Sequence, residues 1–206
     1  MEHLRFLQAL AGSGGGWVIY LLFLCSFVAV MVIAERISVV LKHSRYQSRE
    51  LPRLDQALKP SNVREAPRML DPGSILAPIA DDILKHAPQG KAVMSERLDI
   101  QLALQRRRLE HRVIILGTLG NNAPFIGLLG TVLGVIHAFQ NLAASAGQGP
   151  EVVMSGLAEA LVSTAVGILV ALPCVAAYNY IEKRINDILI DADHFGRQMI
   201  ALLGEK

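Results

Sequence analysis

The chain has 206 residues, 52% of them hydrophobic and 18% charged, with a mean hydropathy of +0.38 and a formal net charge of +2. Soluble domains carry about 25% charged residues, and the charges here are segregated as well: of 20 Lys and Arg and 18 Asp and Glu, 25 lie between Glu35 and Arg112, while the 69 residues from Val113 to Ile181 hold only Glu151 and Glu159. This excludes a freely soluble protein, a disordered chain and a nucleic-acid binder working by net charge, and leaves a membrane protein with a charged middle.

In chain order, residues 1–17 form a short stub ending at Trp17. Val18–Ala34 is an uncharged run, apolar but for Ser26, long enough to cross a membrane and longer than the apolar region of a cleaved signal peptide. Trp17 and Tyr20 suit an interfacial position at its outer end. Residues 35–112 are charged, and Pro52, Pro60, Pro67, Pro72, Pro78 and Pro88 divide the first part into short helices and turns. From Lys91 onward helix formers predict a helix that leads into the next span. That second span is Val113 to Ala138, because splitting the region at Asn121–Pro124 leaves a piece too short to cross. A polar turn at 139–151, containing SAGQGP (Ser145–Pro150), precedes the third span, 152–181. In residues 182–206 the spacing of Ile185, Ile188, Leu189, Ala192, Phe195, Met199 and Leu202 predicts an amphipathic helix. Its apolar stripe needs a partner, either this subunit's cytoplasmic helices or a neighbouring subunit. No internal repeat or low-complexity segment is evident.

Lys and Arg set the orientation. The segment 35–112 holds 15 of the 20 and the tail after Ile181 four, whereas the stub has only Arg5 and the 139–151 turn none. The N-terminus and that turn therefore face out, and the charged segment and C-terminus face the cytoplasm. The expected fold is an all-α integral membrane protein with three transmembrane helices, spans two and three extended into the cytoplasm.

Spans two and three carry stripes of small residues. Gly117, Gly120, Ala123, Gly127, Gly130, Thr131, Gly134 and Ala138 fall on one side of span two; Gly156, Ala160, Ser163, Gly167, Ala171 and Cys174 share one side of span three. Such stripes let helices approach closely in lipid. They do not explain Glu159, a carboxylate about two turns into span three. Burying a charge at membrane depth costs on the order of 3 kcal/mol even on lenient scales and marks a pathway or proton site by default. No Lys or Arg lies in any span to neutralise it, so it must be protonated, hydrated or hydrogen-bonded. Thr131, Thr164 and Ser163 are the other polar groups at depth, and with Glu159 they form a candidate polar strip. A hydroxyl in such a helix often just bonds its own i−4 carbonyl. Asn121 and Asn122 suit capping or hydration of the inner end of span two, where Pro124 removes a backbone donor. His137 reads as an interfacial residue.

Other chemistries lack their residues. GSGGG (Gly12–Gly16) precedes a membrane span rather than following a strand, and no phosphate-binding loop, His/Cys metal cluster or serine-hydrolase motif is present. No cofactor or metal is expected, and no enzyme. Cys25 and Cys174 lie inside apolar runs and read as small buried hydrophobes. Arg106–Arg108 reads as a positive-inside anchor.

Ala123–Phe139 (APFIGLLGTVLGVIHAF) and Gly156–Asn179 (GLAEALVSTAVGILVALPCVAAYN) resemble the paired signatures of the MotA/TolQ/ExbB proton-channel family, and Glu35–Leu41 (ERISVVL) fits the exit from span one. Three spans with the N-terminus out resemble the ExbB/TolQ branch. The resemblance implies a homo-oligomeric ring, typically a pentamer, in the bacterial inner membrane around two copies of a single-span ExbD/TolR-like partner, with a TonB- or TolA-like force transducer beyond it. It implies that protons cross between ring and partner by an Asp on the partner helix, with Thr131, Glu159 and Thr164 as the matching ring residues. Ser163, Asn121 and Asn122 would support the path, and Gly127, Gly130, Gly134, Gly156 and Gly167 would pack the helices. The machine energised would be outer-membrane uptake, envelope maintenance or gliding. The rival from another class is a structural scaffold that conducts nothing.

Overall fold

The computed structural model describes residues 15–59, 62–144 and 150–204. The stub up to residue 14 and residues 145–149 of the expected outer turn lie outside the described residues. Among the described residues the regular structure is helical: α1 (Gly16–Ala57), a 3-10 turn (Val63–Glu65), α2 (Ala66–Met69), α3 (Leu76–His86), a second 3-10 turn (Ala87–Gln89), α4 (Lys91–Leu109), α5 (Val113–Ala144) and α6 (Pro150–Leu203). Three of them are long and apolar enough to cross a membrane, with mean hydropathies of 2.7, 1.5 and 2.3 in their most apolar windows. The chain divides into two compact units: residues up to Ala34 with Val113–Tyr178, and Glu35–Arg112 with Asn179 onward.

In the apolar unit the small-residue stripes face one another. A methyl group on Gly134 would lie 2.6 Å from the Ala160 Cβ, one on Gly156 2.9 Å from the Ala138 Cβ, and one on Gly167 2.7 Å from the Ala123 carbonyl oxygen. Toward the other end Gly120 meets Val175 and Cys174, and Gly117 meets the Tyr178 ring. These pairs fix an antiparallel register between α5 and the first part of α6 along a continuous seam. Cys174 is buried there, and Cys25 is half-buried on α1. The outward faces are apolar and open: Leu169 is 70% exposed, Ile114 74% and Phe125 68%. An apolar surface of that extent is stable only against lipid or other apolar helices.

The charged unit has a conventional core. Of the stripe expected from the sequence, Ile181, Ile185, Ile188, Ala192, Phe195 and Met199 are buried and Leu189 and Leu202 half-buried; Leu76, Ile79, Ile83, Met94 and Leu98 are buried as well. Its partner is this subunit's own helices: the Leu98 side chain of α4 presses on Gly196, and the Gln47 side chain of α1 donates to the Ile188 carbonyl at 2.8 Å. Arg97 donates two 3.0 Å hydrogen bonds to Asp82, tying α4 to α3. The Arg97 guanidinium holds the Asp82 carboxyl below the usual carboxylate range, against the opposing effect of burial. Glu50 of α1 accepts from the Asp71 amide at 2.8 Å and the Ser74 hydroxyl at 2.6 Å, fixing the turn that leads into α3.

Two local expectations fail. The sequence predicts a break at Pro52, yet α1 runs on to Ala57. Proline forfeits one hydrogen bond there, while Leu54 and Leu58 just beyond it are buried. Conversely, the helix from Lys91 does not run unbroken into the second apolar helix. It stops at Leu109, and Arg112 takes a left-handed φ of 63° before α5 begins. The Arg112 guanidinium donates to both Glu35 carboxylate oxygens, at 3.2 and 3.1 Å, which offsets the backbone strain. Gly90, at φ 94°, supplies the other left-handed residue, at the head of α4, where a side chain is disfavoured.

Candidate functional site

The seam between α5 and α6 positions the polar groups of the apolar unit. Gly127 and Gly130 of α5 face Ser163 of α6: a methyl group on either would lie 2.7 Å from a Ser163 atom, the carbonyl oxygen for Gly127 and Cβ for Gly130. This approach brings the hydroxyls of Thr131 and Thr164 into contact, either one donating to the other. Thr131 is also 3.3 Å from the Gly127 carbonyl, the ordinary i−4 partner, and 3.4 Å from the Ala160 carbonyl across the seam. With one proton each, two hydroxyls and two carbonyls form a short chain in which Thr164 donates to Thr131 and Thr131 to a carbonyl. Both threonines are half-buried.

Glu159 lies four residues before Ser163 and so shares its side of α6. It is exposed, and it lines a cavity of about 210 Å³ together with Ser163, Ala160 and Gly156 of α6, Gly134 and His137 of α5, and Gly15, Gly16 and Ile19 at the start of α1. The first turn of α1 comes close to the carboxylate: a methyl group on Gly16 would lie 3.9 Å from its Oε1. A helix N-terminus favours a negative charge beside it. Ser163 is buried at 1% exposure, between the threonine pair and the cavity.

The site residues expected from the sequence thus separate into three places. Thr131 and Thr164 touch; Glu159 and Ser163 share the adjoining cavity. Asn121 and Asn122 are exposed further along α5, where Asn122 donates to the Thr118 carbonyl at 2.8 Å, an i−4 contact within its own helix. About 13 Å of helix rise separates Asn122 from Thr131. The structure does not bring them to the hydroxyl pair.

Sequence reasoning missed two contributors. His137, read as interfacial, lines the cavity with Glu159. Gly15 lets the start of α1 approach α5: a methyl group there would lie 2.5 Å from the Gly130 carbonyl oxygen and 3.3 Å from the Gly134 nitrogen. The signal for the second is the glycine run preceding span one, which suits close helix approach as well as it suits a phosphate loop. His137 has a weaker signal, its place three residues after Gly134 on a helix whose small stripe faces α6.

The profile of the MotA/TolQ/ExbB proton channel family matches residues 72–193, which include both helices of the seam. Among curated proteins, the Tol-Pal system protein TolQ of Haemophilus influenzae is 40% identical over 106 residues, 50% of this chain and 46% of that one. The biopolymer transport protein exbB1 of Vibrio cholerae is 32% identical over 181 residues, 85% of this chain and 78% of that one. The biopolymer transport protein ExbB of Neisseria gonorrhoeae is 36% identical over 118 residues, 55% and 54% of the two chains. The matches thus span about half the length of the TolQ and gonococcal ExbB relatives.

Proposed function

The chain belongs to the MotA/TolQ/ExbB proton channel family, and on that footing we propose that it is the ring-forming subunit of a bacterial inner-membrane motor driven by the proton-motive force. Five copies would surround two copies of a single-span partner of the ExbD/TolR type, and a TonB- or TolA-like protein would carry the force outward. The N-terminus and the α5–α6 connection would face the periplasm, following the distribution of Lys and Arg. The observation that carries this reading is the pairing, within the nearly uncharged stretch from Val113 to Ile181, of a hydroxyl chain through Thr131 and Thr164 with the carboxylate of Glu159 one to two turns away.

The mechanism follows from what each group can hold. An acid on the partner helix, when ionised, is attracted to polar groups on one ring subunit. Protonation removes that attraction and frees the partner to move to the next, near-equivalent subunit. Each proton crossing supplies about 2.3 kcal/mol per 100 mV, enough to bias steps between equivalent positions. Glu159 would pass protons to the partner's acid, and Thr131 and Thr164 would bridge the gap as a donor–acceptor relay. The charged unit would brace the ring.

Proteoliposomes holding the chain with its partner test the proposal by proton uptake driven by a pH gradient. Glu159→Gln should abolish uptake and Thr164→Val should lower it, both leaving assembly intact. Uptake equal to wild type in both variants would remove these residues from the path. No uptake by the wild-type complex would favour the scaffold reading, in which the seam only assembles other helices.

A further inference from the structure

Two histidines within helices of this chain bond their own backbone. His43 Nδ1 lies 2.9 Å from the Val39 carbonyl oxygen and His86 Nδ1 2.8 Å from that of Asp82, each four residues back. That arrangement satisfies the ring nitrogen within its own helix. His137 departs from it. Its Nδ1 is buried and has no hydrogen-bond partner, and its ring lines the cavity shared with Glu159 and Ser163. A buried polar nitrogen is destabilising if nothing satisfies it, and a cavity with polar walls is where water does so. Water occupies about 30 Å³ in the liquid, so a volume of about 210 Å³ accommodates a small cluster.

Resting on the function proposed above, we propose that His137 is a further proton-carrying residue of this chain, exchanging protons through water in the cavity between the face at the α5–α6 connection and Glu159. Its location suits such a role, since His137 is six residues beyond Thr131 along α5, toward Ala144, and Glu159 stands across the cavity on α6. The imidazole accepts a proton from water on one nitrogen and releases the proton of the other to water beside Glu159. The proton count balances, and the tautomer left behind is restored by ring rotation or by exchange with cavity water. Among the described residues lining the cavity, from α1, α5 and α6, the titratable side chains are His137 and Glu159 alone. The start of α1 contributes Gly15, Gly16 and Ile19, which carry no charge. A neutral imidazole carries one donor and one acceptor nitrogen, so it can take a proton from one water and give one to another.

The test is proton uptake by proteoliposomes holding chain and partner, measured as a function of the pH on the side of the α5–α6 connection. His137→Gln should lower uptake about tenfold, less than the roughly 10²–10⁴ of a catalytic proton transfer because cavity water offers a bypass. It should also flatten the dependence on that pH, a change that a purely structural role would not produce. A conducting complex whose uptake and pH profile are both indifferent to His137→Gln overturns this inference and leaves the proposed function standing. A wild-type complex that conducts nothing overturns both. Independently of conduction, His137→Cys, with Cys25 and Cys174 replaced by Ala, should react with a membrane-impermeant thiol reagent added on that side. Absence of labelling, with an introduced cysteine at Leu142 as the positive control, would show that water does not reach the position.

Discussion

Gly127→Ala puts the seam to its strictest test, because the added methyl group meets only backbone. It would lie 2.7 Å from the Ser163 carbonyl oxygen, 3.0 Å from the Thr164 Cα and 3.2 Å from the Gly167 Cα. No rotamer change relieves these contacts. To reach the 3.4 Å at which ordinary van der Waals contact begins, the helices must part locally by about 0.7 Å. Overpacking of this kind costs about 1–3 kcal/mol, and a backbone-only clash belongs in the upper half of that range. Loss of the Thr131–Thr164 hydrogen bond adds about 0.6 kcal/mol, the mean for such bonds in membranes. Against this, Ala is better than Gly in a helix by about 1 kcal/mol, leaving a net loss of about 2 kcal/mol. Gly117→Ala is the matched comparison. Its methyl group meets the Tyr178 ring at 3.2 Å, a side chain able to swing aside, so the helix-propensity gain survives and stability should be unchanged or up to about 1 kcal/mol higher. Reversible unfolding in mixed micelles with increasing dodecyl sulfate, followed by circular dichroism, measures both. Equal stability of the two variants, or a Gly127→Ala protein as stable as wild type, would refute the close-approach argument.

Three further outcomes follow from individual contacts. Thr131→Val and Thr164→Val should each cost about 0.6 kcal/mol, at most about 1.7, and the double variant little more than either alone, because they delete the same hydrogen bond; strict additivity in a double-mutant cycle would contradict the pairing. Phe195→Ala in the core of the charged unit should cost about 3–5 kcal/mol, and Phe195→Leu under about 1.5 kcal/mol; thermal melts that rank the two the other way would misplace that core. Asp82→Asn should lose about 1 kcal/mol at pH 7, since the Arg97 side chain that holds it is 35% exposed and screened. The folded-state pKa of Asp82 is lowered, so its contribution is present above the ordinary carboxylate range and disappears as pH falls through the folded value; the gap between wild type and Asp82→Asn should close on acidification through and below the ordinary carboxylate range, and a gap that widens on acidification would reverse the assignment.

How much of this was legible in the sequence depended on whether the determining partner was local. The small stripes could be read because a helix places every third or fourth residue on one side, and α5 and α6 do set Gly134 against Ala160 and Gly156 against Ala138. The stripe ending in Phe195 and Met199 could be read for the same reason, though not its partner, which turned out to include Leu98 and Gln47. What stayed hidden depended on distant chain. Proline at 52 is a helix breaker on local grounds, and only the burial of Leu54 overrides it. The interruption at Arg112 rests on Glu35, 77 residues away. His137 and the Gly15–Gly16 pair could not be joined to Glu159 without knowing that the start of α1 reaches the seam.

The arrangement also separates two kinds of polar group that the sequence presents as one strip. Thr131 and Thr164 spend their hydrogen-bonding capacity on each other and on the Gly127 and Ala160 carbonyls, so they are satisfied within this one chain. Asn122 and Thr118 likewise bond carbonyls of their own helix. Glu159 is different: among the described residues no ion pair or hydrogen bond engages its carboxylate, and it opens on a cavity whose other polar walls are Ser163 and His137. A satisfied hydroxyl chain is a poor site for a net charge but a good conduit, because each hydroxyl can exchange donor for acceptor without moving. An unsatisfied carboxylate beside water is the reverse, a place where a proton can rest. On the proposed path, removing the resting place should stop transfer altogether, whereas removing one hydroxyl should slow it in proportion to how well water substitutes. On this division Glu159→Gln must be the more severe substitution and Thr131→Val the milder, with Thr131→Ser close to wild type in proton uptake. A Thr131→Ser protein as impaired as Glu159→Gln would place the resting site on the hydroxyls instead.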